Sequence, residues 1–374
     1  MPLSKIQDKE NQVIQSLGRR NLLVNGAMQI RQRHSGSYSQ INTKYSFDRF
    51  RGNSYDGGAA TGKFTVQQST TAPDDFAYSL LVTSAAATSD ASNNIFNIEQ
   101  LIEGYNTNQL NYGTSAAKTI TLSFFVRSSL TGTFGGALKN NARNRNYPFT
   151  YTISSANTFE RKEITITGDT TGTWDQVTNG TGLWVSFGLG VGSNYSGSAG
   201  AWGGGDYFSA TGATSVVGTN GATWYITGVQ LEVGSSATDF EHRPYGDELT
   251  LCQRYFEHCF DFGYYPVEGN NYGKGMCLYN GVAWINDNIR AQIHFLVRKR
   301  ADPTMTAYNV TGLGSGTTAN RWRWWTPSGW NETDGTTDLG ELTNTGCMIN
   351  VVDSDASVNY PYMIGGGWSA EAEL

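Results

Sequence analysis

The chain has 374 residues, with 26 Lys+Arg, 32 Asp+Glu and a formal net charge of −6. This mild acidity lacks the broad basic field of nucleic-acid-binding proteins, and no apolar run reaches the roughly 18 residues of a membrane-spanning helix. Charged residues make up 16% of the chain, which contains 45 Gly, 10 Trp, 20 Tyr and 17 Phe. Glycine suits turns and aromatic residues suit pleated surfaces, so the composition predicts an all-β protein without nucleic-acid or membrane partners.

The polar N-terminal sequence MPLSKIQDKENQ lacks the apolar stretch of a secretory signal peptide. The four cysteines, Cys252, Cys259, Cys277 and Cys347, form no CxxC pair and no disulfide framework. We therefore expect reduced thiols in a protein made in a cytosol, with no metal site and no cofactor.

Residues 1–20 predict an attachment arm. Four apolar residues follow the spacing of a short coiled-coil seam: Leu3, Ile6, Val13 and Leu17. Glu10 interrupts the seam, and two heptads are too short to be stable alone. Two alternatives stay open, a frayed or adaptor-bound arm and a helical trimer seam.

Strand patterns begin near residue 21. Apolar or alternating runs between Gly, Asn and Ser clusters lie at residues 63–67, 78–83, 118–127, 161–167, 183–191 and 223–233. The run at 94–102 fits either a strand or a helical turn. Strands at this density without interleaved helices predict a jelly roll or β-sandwich over residues 21–245.

A short helix is predicted to separate two domains. Three apolar residues are spaced at i, i+3 and i+7 behind a capping Asp247: Leu249, Cys252 and Phe256. We expect a linking helix at 246–262 and a smaller β domain at 263–374, where strand patterns resume.

Three groups of segments carry a resemblance to a known class of proteins. They are Gly18 to Ile30 with Phe47 to Phe50; Ile226 to Gly234 with Phe240 to Tyr245 and Leu251 to Phe256; and Val297 to Thr304 with Ala370 to Leu374. These segments resemble a signature of bacteriophage tail-fibre and virion structural proteins, especially those of marine phages. The resemblance implies a jelly roll similar to carbohydrate-binding modules, a second β domain and a homotrimeric particle component without a catalytic site. Such a protein would be made in the host cytoplasm and act on the virion.

Glu241, His242 and Arg243 superficially suggest a catalytic cluster. Adjacent residues on an extended chain point in opposite directions, so we interpret these three as structural.

Two aromatic-rich segments are candidates for glycan contact. The segment from Arg321 to Asn331 contains four tryptophans, and in an extended chain Arg323 and Trp325 share a face. Tryptophan faces stack on the apolar side of sugar rings. The candidate glycan-binding residues are Trp325, Trp330 and Arg323, together with Trp202 and Tyr207 of the Gly/Ser-rich stretch 188–212. For the tryptophans of 321–331 the alternative is packing in the core or against a neighbouring subunit. For the Gly/Ser-rich stretch it is a flexible connection, or a long insertion packed over a trimer axis.

The leading hypothesis is a non-enzymatic virion component, a trimeric tail-fibre or spike subunit. Its arm would dock on other virion proteins and its β domains would attach to host surface glycan. A capsid decoration or adaptor protein without receptor binding is the alternative, and a polysaccharide depolymerase is third.

Overall fold

The structure is a computed structural model. It describes residues 19–39, 44–58, 62–268, 274–309, 320–326, 329–333 and 335–374. These residues divide into two compact units, the first comprising 19–29, 36–245 and Leu374, and the second 30–35 and 246–373. Within the described ranges strands dominate and one α-helix is present, which confirms the all-β prediction. The arm residues Leu3, Ile6, Val13 and Leu17 lie outside the described residues.

The first unit is a β-sandwich. Its strands are β1 Lys44–Phe47, β2 Phe50–Tyr55, β3 Phe64–Ser69, β4 Ser79–Ser84, β5 Ile95–Glu103, β6 Ile120–Ser128, β7 Gly132–Lys139, β8 Asn146–Ile153, β9 Glu160–Ile166, β10 Thr181–Val191, β11 Ser196–Gly197, β12 Ser209–Ala210 and β13 Thr223–Val233. A six-stranded sheet has the order β1-β2-β5-β10-β7-β8, and a five-stranded sheet has the order β3-β4-β13-β6-β9. All pairs in these two sheets are antiparallel, whereas β11 and β12 form a short parallel pair.

The two large sheets pack face to face through aromatic side chains. Phe124 of β6 lies with its ring centroid 5.1 Å from those of both Phe187 of β10 and Tyr151 of β8. Trp224 of β13 donates its indole N–H to the Tyr151 hydroxyl at 3.2 Å. Each large aromatic ring removes roughly 150–250 Å² from water, so these contacts stabilise the sandwich strongly.

Residues from the first and second signature segments meet in this unit. The Asn21 side chain accepts from the Leu231 N–H and donates to the Val229 carbonyl, both at 3.0 Å. The Glu241 carboxylate accepts from the Asn21 N–H at 2.8 Å. Arg243 donates to the Asn21 carbonyl at 2.5 Å and to Glu241 at 3.0 Å. Glu241 and Arg243 therefore hold the N-terminal segment against β13.

Gly26 lies where this N-terminal segment crosses β13. A Cβ at position 26 would lie 2.1 Å from the carbonyl oxygen of Val229. Because backbone atoms cannot easily move aside, Gly26→Ala should lower the free energy of unfolding by about 2–3 kcal/mol. Urea unfolding measures this, with Gly36→Ala as the control, since a Cβ there meets no atom within 4 Å. We expect the control to change stability by no more than about 0.5 kcal/mol, and equal losses in both variants would contradict the close packing at Gly26.

The second unit is built around one long strand. Its elements are α1 Tyr245–Gln253, β14 Phe256–His258, β15 Cys277–Ile285, β16 Asn288–His294, β17 Thr304–Tyr308, β18 Arg323–Thr326, β19 Gly329–Glu332, β20 Asp338–Thr343, β21 Gly346–Val352 and β22 Pro361–Glu371. Seven strands have the order β19-β18-β22-β15-β16-β21-β20, while β14 and β17 pair with the C-terminal half of β22. The helix is shorter than the expected 246–262, because the chain at β14 pairs with β22 instead of continuing the helix.

The two faces of this sheet differ in burial. The core side chains include Trp322, Trp324, Ile289, Ile293, Ile349, Val351, Ile364 and Trp368. Leu278, Val282, Trp284 and Trp325 are exposed and alternate along their strands with inward residues, so they lie on the opposite face. No helix in the described part of the chain has the length and hydropathy needed to cross a membrane.

Candidate functional site

A cleft lies on the outer face of the six-stranded sheet in the first unit. The register of β2, β5, β10 and β7 places side chains in the cross-strand rows Arg51–Glu99–Ser186, Asn53–Asn97 and Leu101–Trp184–Lys139. Residues in register share a face, and these alternate with core residues, so they point away from the sandwich interior. We call this region of about 240 Å³ the sheet cleft, lined by Arg51, Asn53, Tyr55, Ile95, Arg143, Trp184, Tyr195, Asp206 and Phe208.

The floor of the sheet cleft is a polar network centred on Glu99, which is 0% exposed. Its carboxylate accepts from Arg51 Nε at 2.7 Å, from Asn53 Nδ2 at 2.8 Å and from Asn97 Nδ2 at 3.1 Å. Asn97 also donates to Ser186 Oγ at 2.7 Å. A buried charge pair is tolerated when further hydrogen bonds satisfy both partners. The network therefore fixes the orientation of the Arg51 and Asn53 side chains in the cleft.

The chain that follows β10 forms one wall of the cleft. A Cβ at Gly188 would lie 2.5 Å from Ser209 Oγ, so a glycine at this position lets β12 lie close against the sheet. The Phe208 carbonyl accepts from Ser186 Oγ at 3.0 Å. The Phe208 ring meets Tyr195 edge to face, with centroids 6.1 Å apart. This wall is therefore aromatic and held to the sheet by hydrogen bonds.

Two cations lie against the rings of the cleft. The Arg51 guanidinium is 4.8 Å and the Lys139 ammonium 4.4 Å from the centroid of the Trp184 ring. Lys139 Nζ also lies 3.1 Å from the Phe208 centroid and 3.0 Å from Asp206 Oδ1. Cation–π contacts and the ion pair together hold the Trp184 ring in a fixed position.

The indole N–H of Trp184 has no hydrogen-bond partner among the residues that the structure describes. The side chain is 8% exposed and lines the cleft. A buried donor without an acceptor costs about 1–3 kcal/mol. A ligand oxygen bound in the cleft would provide the acceptor.

Lys139 makes the stability of the first unit depend on pH. Burial lowers the pKa of Lys139 from 10.5 to about 8, although the Glu99 and Asp206 carboxylates oppose the shift. The unfolded chain therefore binds more protons than the folded chain between these two values, and stability rises with pH across that interval. We compare the free energy of unfolding of the wild type with that of Lys139→Met. The difference should be constant from pH 6 to 7.5, and above pH 8 it should shift in favour of the wild type by up to about 3 kcal/mol. Urea unfolding of both proteins from pH 6 to 10 measures this difference, and a constant difference throughout would contradict the lowered pKa.

The two sequence-predicted residues of the Gly/Ser-rich stretch lie in packed surroundings. Trp202 meets Trp174 edge to face at 5.4 Å, and its indole N–H donates to the Thr167 carbonyl at 2.6 Å. The Tyr207 ring lies against the backbone of Gly197, where an added Cβ would be 2.3 Å from it. Neither residue lines the sheet cleft, which takes other aromatic residues from the same stretch.

The remaining predicted residues lie together in the second unit. Trp325, which is 44% exposed, is in register with Trp330, whereas Arg323 is buried. Their strands border a pocket of about 410 Å³ lined by Trp324, Trp325, Ser357, Tyr360, Pro361, Tyr362 and Met363. We call this the tryptophan pocket.

Sequence reasoning did not select Arg51, Asn53 or Trp184 as site residues. Trp184 lies inside an apolar run that reads as core, and Glu99 lies in the run at 94–102, which fits either a strand or a helical turn. The one sequence signal for the sheet cleft was the long Gly/Ser-rich stretch after β10. Aromatic residues of this stretch form a wall of the cleft.

No protein-family model and no curated protein sequence matches this chain. A similar solved structure is the enzymatically active domain of bacteriophage CBA120 tailspike protein 4, with 13% identity over 57% of this chain and a TM-score of 0.32. This chain spans about a fifth of that domain's length, since 21% of it is covered. The family 11 carbohydrate-binding module of Clostridium thermocellum, solved with a β-1,3-1,4-mixed-linked tetrasaccharide, has 8% identity over 55% of this chain and 98% of its own, with a TM-score of 0.27. TmCBM61, solved with β-1,4-galactotriose, has 12% identity over 58% of this chain and 100% of its own, also with a TM-score of 0.27.

Proposed function

We propose that this protein binds a glycan in the sheet cleft. The observation that carries the proposal is the Trp184 ring, held in place with an unpartnered indole N–H beside the Arg51 guanidinium and the Asn53 side chain, which the Glu99 network fixes. A sugar offers an apolar C–H face and a ring of hydroxyl groups. An aromatic surface matches the first and convergent polar groups match the second.

The rim of the sheet cleft adds both donors and acceptors. Arg143 is half-exposed and pairs with Asp206 at 3.2 Å. Tyr55 is also exposed at this rim. These groups accept or donate to hydroxyls of a sugar chain that extends beyond Trp184, so the cleft suits an oligosaccharide.

We further propose that binding is not coupled to hydrolysis. A glycosidase needs two carboxyl groups across the scissile bond, one of which acts as an acid. In the sheet cleft Glu99 accepts from three donors. Asp206 is paired with Lys139 at 3.0 Å and with Arg143 at 3.2 Å. Both carboxylates are therefore engaged by donors of the protein itself, which supports recognition without hydrolysis.

The biological setting that we propose is a phage particle. The signature segments described above support a homotrimeric tail-fibre or spike subunit, made in the host cytoplasm and joined to other virion proteins by its N-terminal arm. Three weak glycan sites on one trimer would raise the overall affinity through effective concentration, without any new contact.

A bacterial surface-glycan array probed with the full chain tests this function, and light scattering measures the assembly. We expect saturable binding to a subset of glycans by a particle of three 40.8 kDa chains. Absence of binding across the array would favour a decoration or adaptor protein. Release of reducing ends from a bound polysaccharide would favour a depolymerase, and a stable monomer at micromolar concentration would contradict the fibre assignment.

A further inference from the structure

The tryptophan pocket of the second unit has no role in the function proposed above. Trp325 lies opposite Trp330 on one side and opposite Met363 on the other. Residues in register share a face of a sheet, so the three side chains lie together on the face turned away from the core. Trp325 and Met363 line the pocket, and Trp330 packs against Trp325 beside it.

The rings around the pocket hold one another in place. Trp325 and Trp330 meet edge to face, with centroids 5.5 Å apart and planes at 74°. Tyr362 contacts Trp324 at 5.2 Å and Tyr360 at 5.7 Å, and Tyr360 is 61% exposed. The edge-to-face pairs Trp325–Trp330 and Trp324–Tyr362 fix these rings, and the exposed Trp325 ring keeps surface available for stacking.

Polar groups at the pocket are held in position and have hydrogen-bonding capacity left. The Trp324 side chain is buried, and its indole N–H has no hydrogen-bond partner in the described parts of the chain. The Tyr362 hydroxyl accepts from the Ser357 N–H at 2.8 Å, which fixes its position while the hydroxyl keeps its own proton to donate.

The two pockets differ in charge. The sheet cleft contains Arg51, Arg143 and Asp206, whereas every residue lining the tryptophan pocket is uncharged. We propose that the tryptophan pocket is a second carbohydrate site, selective for neutral oligosaccharides. Trp325 supplies the stacking surface, and the Tyr360 and Tyr362 hydroxyls bind sugar hydroxyls. The pocket shares no residue with the sheet cleft, so each site is testable without the other.

Affinity electrophoresis of the full chain tests this site in gels that contain mixed-linkage β-glucan, xylan, galactomannan or anionic alginate. All proteins carry Trp184→Ala to disable the sheet cleft, and Trp325→Ala or Trp330→Ala is added. The matched control adds Trp284→Ala, which removes a tryptophan that is 53% exposed in the same unit but lies outside the pocket. Circular dichroism checks that each variant is folded.

We expect at least one neutral polysaccharide to retard Trp184→Ala. Adding Trp325→Ala, or Trp330→Ala, which removes the ring packed against Trp325, should weaken this retardation about tenfold or more in dissociation constant, as truncation of an aromatic anchor does. The control should be retarded as strongly as Trp184→Ala alone. The proposal would be overturned if only alginate, or none of the gels, retarded Trp184→Ala. It would also be overturned if adding Trp325→Ala left the retardation unchanged. A change of assembly mass in Trp325→Ala without a change in retardation would also overturn it, because it would assign the pocket to subunit packing.

Discussion

Trp184→Ala is expected to weaken glycan binding by the sheet cleft about 30-fold or more. Trp184 is the central ring of the cleft, and truncating such an aromatic anchor costs about 2 kcal/mol or more of binding energy. Trp184→Phe keeps most of the ring but removes the indole N–H. We expect Trp184→Phe to bind the glycan about fivefold more weakly, which is the value of one hydrogen bond.

The measurement is calorimetric titration with an array-positive glycan whose binding is unchanged by Trp325→Ala. That choice removes any contribution from the tryptophan pocket. Trp284→Ala serves as the control for loss of an exposed tryptophan and should bind as the wild type does. Wild-type affinity in a folded Trp184→Ala protein would exclude the sheet cleft as the binding site.

Glu99→Ala is expected to have the largest effect on stability, about 3–5 kcal/mol. Glu99 and Arg51 form a buried pair with Nε–Oε1 at 2.7 Å, and removing the carboxylate leaves the guanidinium without its charge partner. Breaking such a pair from one side typically costs this much. Glycan binding should be lost as well, because Arg51 and Asn53 both depend on Glu99 for their orientation.

The double variant Arg51→Met/Glu99→Leu separates the two effects. Replacing both charges with apolar side chains removes the unpaired ion, so part of the lost stability should return. Binding should not return, since the Arg51 guanidinium that donates to the ligand is absent. Urea unfolding and the same calorimetric titration measure the two quantities. A double variant that binds glycan as the wild type does would show that the polar floor takes no part in recognition.

The fold was predictable where strands have one buried and one solvated face. The run at 161–167 predicted β9 at Glu160–Ile166, where less and more exposed residues alternate regularly. The run at 94–102 left strand and helix open, and it forms β5. Both faces of β5 are buried, with Phe96 and Ile98 in the sandwich core and Asn97 and Glu99 beneath the cleft. Burial on both faces removes the period-two signal.

β7 was not predicted because glycines interrupt its pattern. Gly135 and Gly136 weaken the strand signal in sequence, since glycine is depleted in strands. In the fold both are required by close contacts. A Cβ at Gly135 would lie 2.5 Å from Ser209 Oγ, and one at Gly136 would lie 2.3 Å from the Phe149 ring.

The two pockets show how far local sequence predicts a site. Trp325 and Trp330 are five positions apart on adjoining strands, so their meeting follows from a local hairpin. The sheet cleft joins Arg51, Glu99 and Trp184, which are distant in sequence and meet only through the register of β2, β5 and β10. That register depends on tertiary pairing, which no local pattern specifies.

The most direct test of the sheet cleft uses the indole N–H signals of the tryptophans in a ¹H–¹⁵N spectrum. The signal of Trp184 is assigned as the one that Trp184→Phe removes from the ten that the sequence provides. As an array-positive glycan is titrated into the wild type, we expect this signal to move downfield, because the N–H gains an acceptor. A Trp184 signal that stays in place at saturation would contradict glycan binding in the sheet cleft.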